Sequence, residues 1–81
     1  MKTTIMLKVN PMIATESIPK KYSEDFEPFE ITKGKTLADI VRVFKIDMEE
    51  IVVITQVGPI NKEYILKEGD KIHILPLLIG G

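Results

Sequence analysis

Hydrophobic and polar residues alternate from Thr3 to Val9. Ile5, Leu7 and Val9 fall on one side, and Thr4, Met6 and Lys8 on the other. That period of two predicts a strand with one buried face. A weaker alternation returns over Phe26 to Thr32, where Phe29 and Ile31 oppose Glu30. Pro28 lacks a backbone donor, which predicts an edge strand or an irregular start. Between the two, Asn10 to Asp25 shows no period: Pro11, Ser17, Pro19 and Ser23 are set among charges. It exceeds the usual hairpin loop of about two to five residues and reads as an enlarged surface loop. Its apolar residues, Met12, Ile13 and Ile18, have three uses open to them: contacting a partner, prolonging the first strand or packing back on the domain.

The period changes after Lys33-Gly34-Lys35, a turn. Thr36 is a good N-cap, and Asp39 places negative charge in the first turn of a helix. Leu37, Ile40, Val41 and Phe44 recur at helical spacing and predict one buried stripe. Arg42 and Lys45 complement the C-terminal end of the helix dipole. Asp47 to Glu50 predicts a second, one-turn helical piece. Ile51 to Val57 is β-branched and reads as a strand bounded by Gly58-Pro59. Ile60 to Leu66 is a connecting piece, with Tyr64 and Leu66 as candidates to face the core.

Lys67 to Asp70 is a turn in which Gly69 is free to take positive φ. Lys71 to Leu75 then alternates, with Ile72 and Ile74 opposite Lys71 and His73. Pro76 is expected to end regular pairing, leaving 76–81 as an extended, flexible C-terminal tail of one domain over 1–81. The order of strands around a single main helix predicts an α+β fold, the helix packed across one face of the sheet.

Composition narrows the function. Eighty-one residues suit one domain, and 44% hydrophobic content argues against disorder. A formal net charge of −1 gives no electrostatic footprint for nucleic acid. The apolar run Ile74 to Ile79 is too short for a membrane span, and no signal peptide precedes the first strand. No cysteine is present, so the chain has no disulfide frame or thiolate metal site, and a reducing cytoplasm is the expected location.

Side-chain chemistry is sparse. His73 is the one histidine, and it forms no specific nucleophilic set with Ser17 or Ser23. Asp47, Glu49 and Glu50 read as a solvated face, so no metal site is expected. No glycine-rich phosphate loop appears. These observations predict that the chain is not an enzyme and binds no cofactor of its own. The remaining feature is Gly80-Gly81. Two residues without Cβ make a thin strip of backbone that fits a channel any side chain would block.

The pattern L-x-x-GD-x-I-x-x-LP-x-x-x-GG, carried by Leu66, Gly69, Asp70, Ile72, Leu75, Pro76, Gly80 and Gly81, resembles the C-terminal signature of the ThiS/MoaD family. These are the small sulfur-carrier proteins of thiamin and molybdopterin biosynthesis. Leu77 stands where many members have a second proline, and Thr3 to Val9 lacks the aromatic pattern of molybdopterin-type members. Both pathways stay open. The resemblance implies a ubiquitin-like β-grasp fold, a mixed four- to five-stranded sheet whose first and last strands are parallel, central neighbours. It also implies a short strand or extended loop within 60–66.

The same resemblance implies a role for the tail. A ubiquitin-activating-enzyme-like adenylyltransferase would use ATP to activate the Gly81 carboxylate. A sulfur donor would then leave a thiocarboxylate there, for use by a molybdopterin synthase large subunit or a thiazole synthase. Gly80 supplies clearance. Leu77, Leu78 and Ile79 would dock along an apolar groove of the partner, with Leu75 and Pro76 beside them. Two other readings share the fold: a ubiquitin-like modifier joined to lysines through its terminal glycine, and an interaction domain whose tail does nothing.

Overall fold

The computed structural model describes residues 1–13 and 16–77. Its strands are β1 (Lys2–Val9), β2 (Glu27–Thr32), β3 (Ile51–Thr55), β4 (Gly58–Ile60) and β5 (Lys71–Pro76). Its helices are α1 (Lys21–Glu24) and α2 (Leu37–Val43), and single 3-10 turns cover Pro11–Ile13 and Met48–Glu50. The result is a small α+β fold with a five-stranded mixed sheet in the order β2-β1-β5-β3-β4. β1 and β5 run parallel at its centre, and the other pairs are antiparallel. The first and last strands are therefore neighbours, as expected, and Pro28 lies on an edge strand.

Alternation decides which face is buried. Ile5, Leu7 and Val9 of β1, and Ile72 and Ile74 of β5, have no exposed surface. Leu37, Ile40, Val41 and Phe44 close over them from α2 in one cluster. Each fully buried aliphatic side chain contributes about 1.5–3 kcal/mol of transfer free energy, so these central strands form the middle of the apolar core.

Both ends of α2 are finished by local chemistry. The Asp39 carboxylate accepts from the Thr36 N–H at 2.8 Å and from its hydroxyl at 3.1 Å, a capping box. The next orphan donors, Leu37 N–H and Ala38 N–H, go to the carbonyls of Tyr64 and Lys62, both at 3.0 Å. At the other end Ile46 N–H reaches Val41 O at 2.9 Å and Lys45 N–H reaches Arg42 O at 3.2 Å. That is a Schellman motif, and it puts Lys45 at φ 58°. Lys45 is thus the left-handed residue past the helix, where glycine is the usual occupant.

Three expectations are refined by the structure. Among the described residues of 10–25 the surface-loop reading gives way to the alternative of packing back on the domain: α1 turns Tyr22 into the core, and Ile18 ahead of it is buried as well. Tyr22 meets Phe29 edge-on at 5.8 Å and Phe44 at 6.4 Å, so this segment extends the hydrophobic core. Of the two forms expected within 60–66, the extended connection holds, bridged to Thr36 at Ile65, while the strand expected over 51–57 is divided. β3 stops at Thr55, Gln56 and Val57 turn, and Gly58 opens β4 opposite Thr55. Thr55 builds the turn, its hydroxyl donating to Gly58 O at 3.0 Å and accepting from Val57 N–H at 3.2 Å. Lastly, Pro76 does not begin the tail. It closes β5 opposite Ile51, and Leu77 N–H donates to Glu50 O at 2.9 Å. A proline can end a strand this way because, in the register set by the Leu77–Glu50 bond, Pro76 points its own backbone groups away from β3 and needs no donor there.

Candidate functional site

The Leu66 to Leu77 segment is built from the turn upward. Gly69 sits at φ 83°, which an L side chain rarely adopts. Its N–H donates to Thr4 O at 2.9 Å, and Met6 N–H donates to Asp70 O at 2.8 Å. Those bonds start the parallel β1–β5 ladder. Glu68 adds one more, its Oε1 accepting from Thr4 N–H at 2.9 Å. Leu66 is 2% exposed and fixes the turn to the core.

Asp70 holds the base of β5. It is buried, and its carboxylate accepts from Lys67 N–H at 2.9 Å, Tyr64 Oη at 3.0 Å and Gln56 Nε2 at 3.1 Å. Gln56 returns its Oε1 to Lys71 N–H at 3.0 Å. Burial pushes the Asp70 carboxyl up. The hydrogen bonds from Lys67, Gln56 and Tyr64, with the Lys67 charge, outweigh it and hold its pKa below the ordinary value. The same contact acts on Tyr64 in reverse: burial, then Asp70's hydrogen bond and charge, raise the phenol. One carboxylate thus ties the β3–β4 turn, the segment before β5 and β5 itself together. Sequence reasoning singled out Asp70, and Tyr64 as a core candidate, but neither Tyr64 nor Gln56 as a donor to that carboxylate. The available signal was an Asp between a turn glycine and an apolar strand, which must find donors if buried.

The sheet face away from α2 carries Met6 and Lys8 from β1, His73 and Leu75 from β5, and Val52 and Ile54 from β3. Register sets His73 between Lys8 and Ile54, and Leu75 beside Val52. Phe26 leans on the His73 ring at 5.7 Å, with Lys8 Nζ and Lys71 Nζ each 5.9 Å from its own ring centre. Desolvation, then the Lys8 charge, lower the His73 pKa below 6.5. The imidazole is therefore neutral at physiological pH, and the face is an apolar strip edged by lysines.

The proposed partner-contacting residues divide between two places. Leu75 is half-buried on this open face, Pro76 is half-buried at the end of β5, and Leu77 follows at 43% exposure. Leu78, Ile79, Gly80 and Gly81 lie outside the described residues. Among the described residues no His/Cys/Asp/Glu cluster suited to a metal ion occurs, and no helix is long and apolar enough to cross a membrane. A scan against protein-family models finds no match, and no curated protein matches the chain.

Proposed function

We propose that this chain is a sulfur carrier of the ThiS/MoaD type with a ubiquitin-like β-grasp fold, acting as a co-substrate rather than an enzyme. The observation that carries the reading is the position of β5. It is central and parallel to β1, and its ladder reaches Leu77 through Glu50. The residues that follow, Leu78 to Gly81, are thus attached to an interior strand of the sheet. A partner enzyme needs such a base if it is to thread a narrow backbone strip into its own site.

The chemistry follows from the terminal group. A free carboxylate is ionised at neutral pH, with an α-carboxyl pKa of roughly 3.3–3.7, and is a poor electrophile. In the proposed sequence the Gly81 carboxylate attacks the α-phosphorus of ATP on an adenylyltransferase, and pyrophosphate leaves. The acyl adenylate is then attacked at carbon by a sulfur donor, and AMP leaves. With a persulfide as donor, the product is an acyl disulfide; a second thiol attacks the donor's sulfur, leaves with it as a disulfide, and releases Gly81 as a thiocarboxylate. A synthase of the molybdopterin or thiazole class then takes up this nucleophile. Gly80 and Gly81 give clearance, and Leu75, Pro76, Leu77, Leu78 and Ile79 supply the docking surface. A chain without cysteine suits this work in a reducing cytoplasm, since no internal thiol competes for the activated terminus.

Deleting Gly81 tests the reading. The deletion is expected to leave the melting curve unchanged while abolishing ATP–pyrophosphate exchange with the cognate adenylyltransferase. Exchange that persists without Gly81 would overturn it.

A further inference from the structure

A cleft of about 350 Å³ lies between β2 and α2, at the edge of the sheet and separated from β5 by β1. Its apolar lining is Phe29 and Ile31 from β2 and Ile40 and Val43 from α2. Val43 is 63% exposed, although it sits on a helix whose other large apolar residues are buried. β2 is a terminal strand of the sheet, so one side of its backbone has no strand partner among the described residues. Parity identifies the outward groups. Lys33 N–H donates to Met1 O, which makes Lys33, Ile31, Phe29 and Glu27 the residues bonded to β1 in this register. Thr32, Glu30 and Pro28 therefore point their backbone groups away from β1.

Two of those outward groups are already used. Pro28 O accepts from Tyr22 Oη at 3.1 Å, and Thr32 O accepts from Lys35 N–H at 3.3 Å. Among the described residues, Glu30 N–H, Glu30 C=O and Thr32 N–H are left as an open stretch of ladder directly beside the cleft. Pro28 itself has no N–H, so the opening ends there.

We propose that this edge and cleft bind an extended peptide segment of a partner protein, with alternating apolar side chains and acidic flanks. The segment adds a strand to β2 by pairing with Glu30 and Thr32. Its side chains on the helix side then fall in line with Phe29 and Ile31 and rest against Ile40 and Val43. Charge selects the flanks. Lys2, Lys35 and Arg42 rim the cleft, while of its two carboxylates Asp39 is committed to the Thr36 cap and lies 3.6 Å from Arg42. A second copy of this chain fits poorly, because two β2 edges paired about Glu30 bring like carboxylates opposite each other. The proposal is independent of the tail chemistry and holds equally for a chain lacking Gly81.

The test is an amide NMR titration of the full chain with a short capped peptide of alternating valine and threonine flanked by aspartates. The signals of Glu30, Thr32, Ile40 and Val43 are expected to shift together, with slowed exchange of the Glu30 and Thr32 amides. Glu30→Pro, which removes one outward N–H at an edge position that tolerates proline, is expected to weaken binding about tenfold. Arg42→Glu, a surface change that leaves the fold intact, is expected to turn the preference toward a lysine-flanked peptide. Absence of shifts at millimolar peptide would overturn the proposal. So would shifts confined to Val52, Ile54 and His73, or Glu30 and Thr32 signals that move with protein concentration alone, which would assign the edge to a second copy.

Discussion

Asp70 shows how one residue sets the local architecture. Its carboxylate is buried and charged, and three donors converge on it. Removing the charge leaves those donors facing a weaker acceptor, so Asp70→Asn is expected to destabilise the fold by about 1–3 kcal/mol in urea unfolding. The sign with pH follows from the lowered folded pKa. The stabilisation is fully present above the ordinary carboxylate value of 3.8 and is lost as pH falls through the folded value. Asp70→Asn should therefore flatten the acid limb of the stability curve. His73 works in a different window. Its folded pKa is lowered from 6.5, so the unfolded chain takes up the proton first. Stability is expected to fall as pH drops below 6.5, then level off below the folded value, and His73→Gln should remove that step. Lys45 offers a simpler check. It holds φ 58° at the end of α2, and Lys45→Gly should raise stability by about 1 kcal/mol in thermal melts by relieving the left-handed strain.

Among the elements, legibility followed the length of the pattern. β1 and α2 were plain in the sequence because each repeats its period several times. Ile5, Leu7 and Val9 face inward, as do Leu37, Ile40, Val41 and Phe44. α1 was not legible. It is four residues long, too short to show a period, and Tyr22 sits among lysines, serine and glutamate. Only the tertiary contacts with Phe29 and Phe44 give it a reason to form. Tyr22→Ala is accordingly expected to cost about 3–5 kcal/mol, a core loss rather than a loop change. The start of β4 at Gly58 was missed for another cause. Gly58-Pro59 has the composition of a strand boundary, yet the Thr55 side chain closes a two-residue turn ahead of it and lets Gly58 pair. Pro76 was read as a strand stop and does end β5, but as its last paired residue rather than the first of the tail.

For the whole molecule, the sheet order joins the two ends of the described chain. Within the segment that carries the sequence signature, β5 pairs with β1 along 71–74 and with β3 along 73–76. Leu66 and Ile72 are buried in the core, Gly69 supplies the positive φ of the turn, and Asp70 is the carboxylate hub. Those structural roles explain part of the signature without any function. Leu75 and Leu77 retain exposed surface, and Gly80 and Gly81 lie beyond the described fold. The role proposed for the two glycines was legible only through resemblance, because a backbone terminus carries no side-chain chemistry to read. The functional account therefore rests on the chemical state of Gly81. An intact-mass spectrum of the protein from its native host, before and after incubation with ATP, a sulfur donor and host extract, reads that state directly. The account predicts a species heavier by the replacement of one oxygen with sulfur, localised to Gly81 and absent when Gly81 is deleted. A terminus that stays an unmodified carboxylate throughout, or a Gly81 found only in isopeptide linkage to lysines, would contradict it.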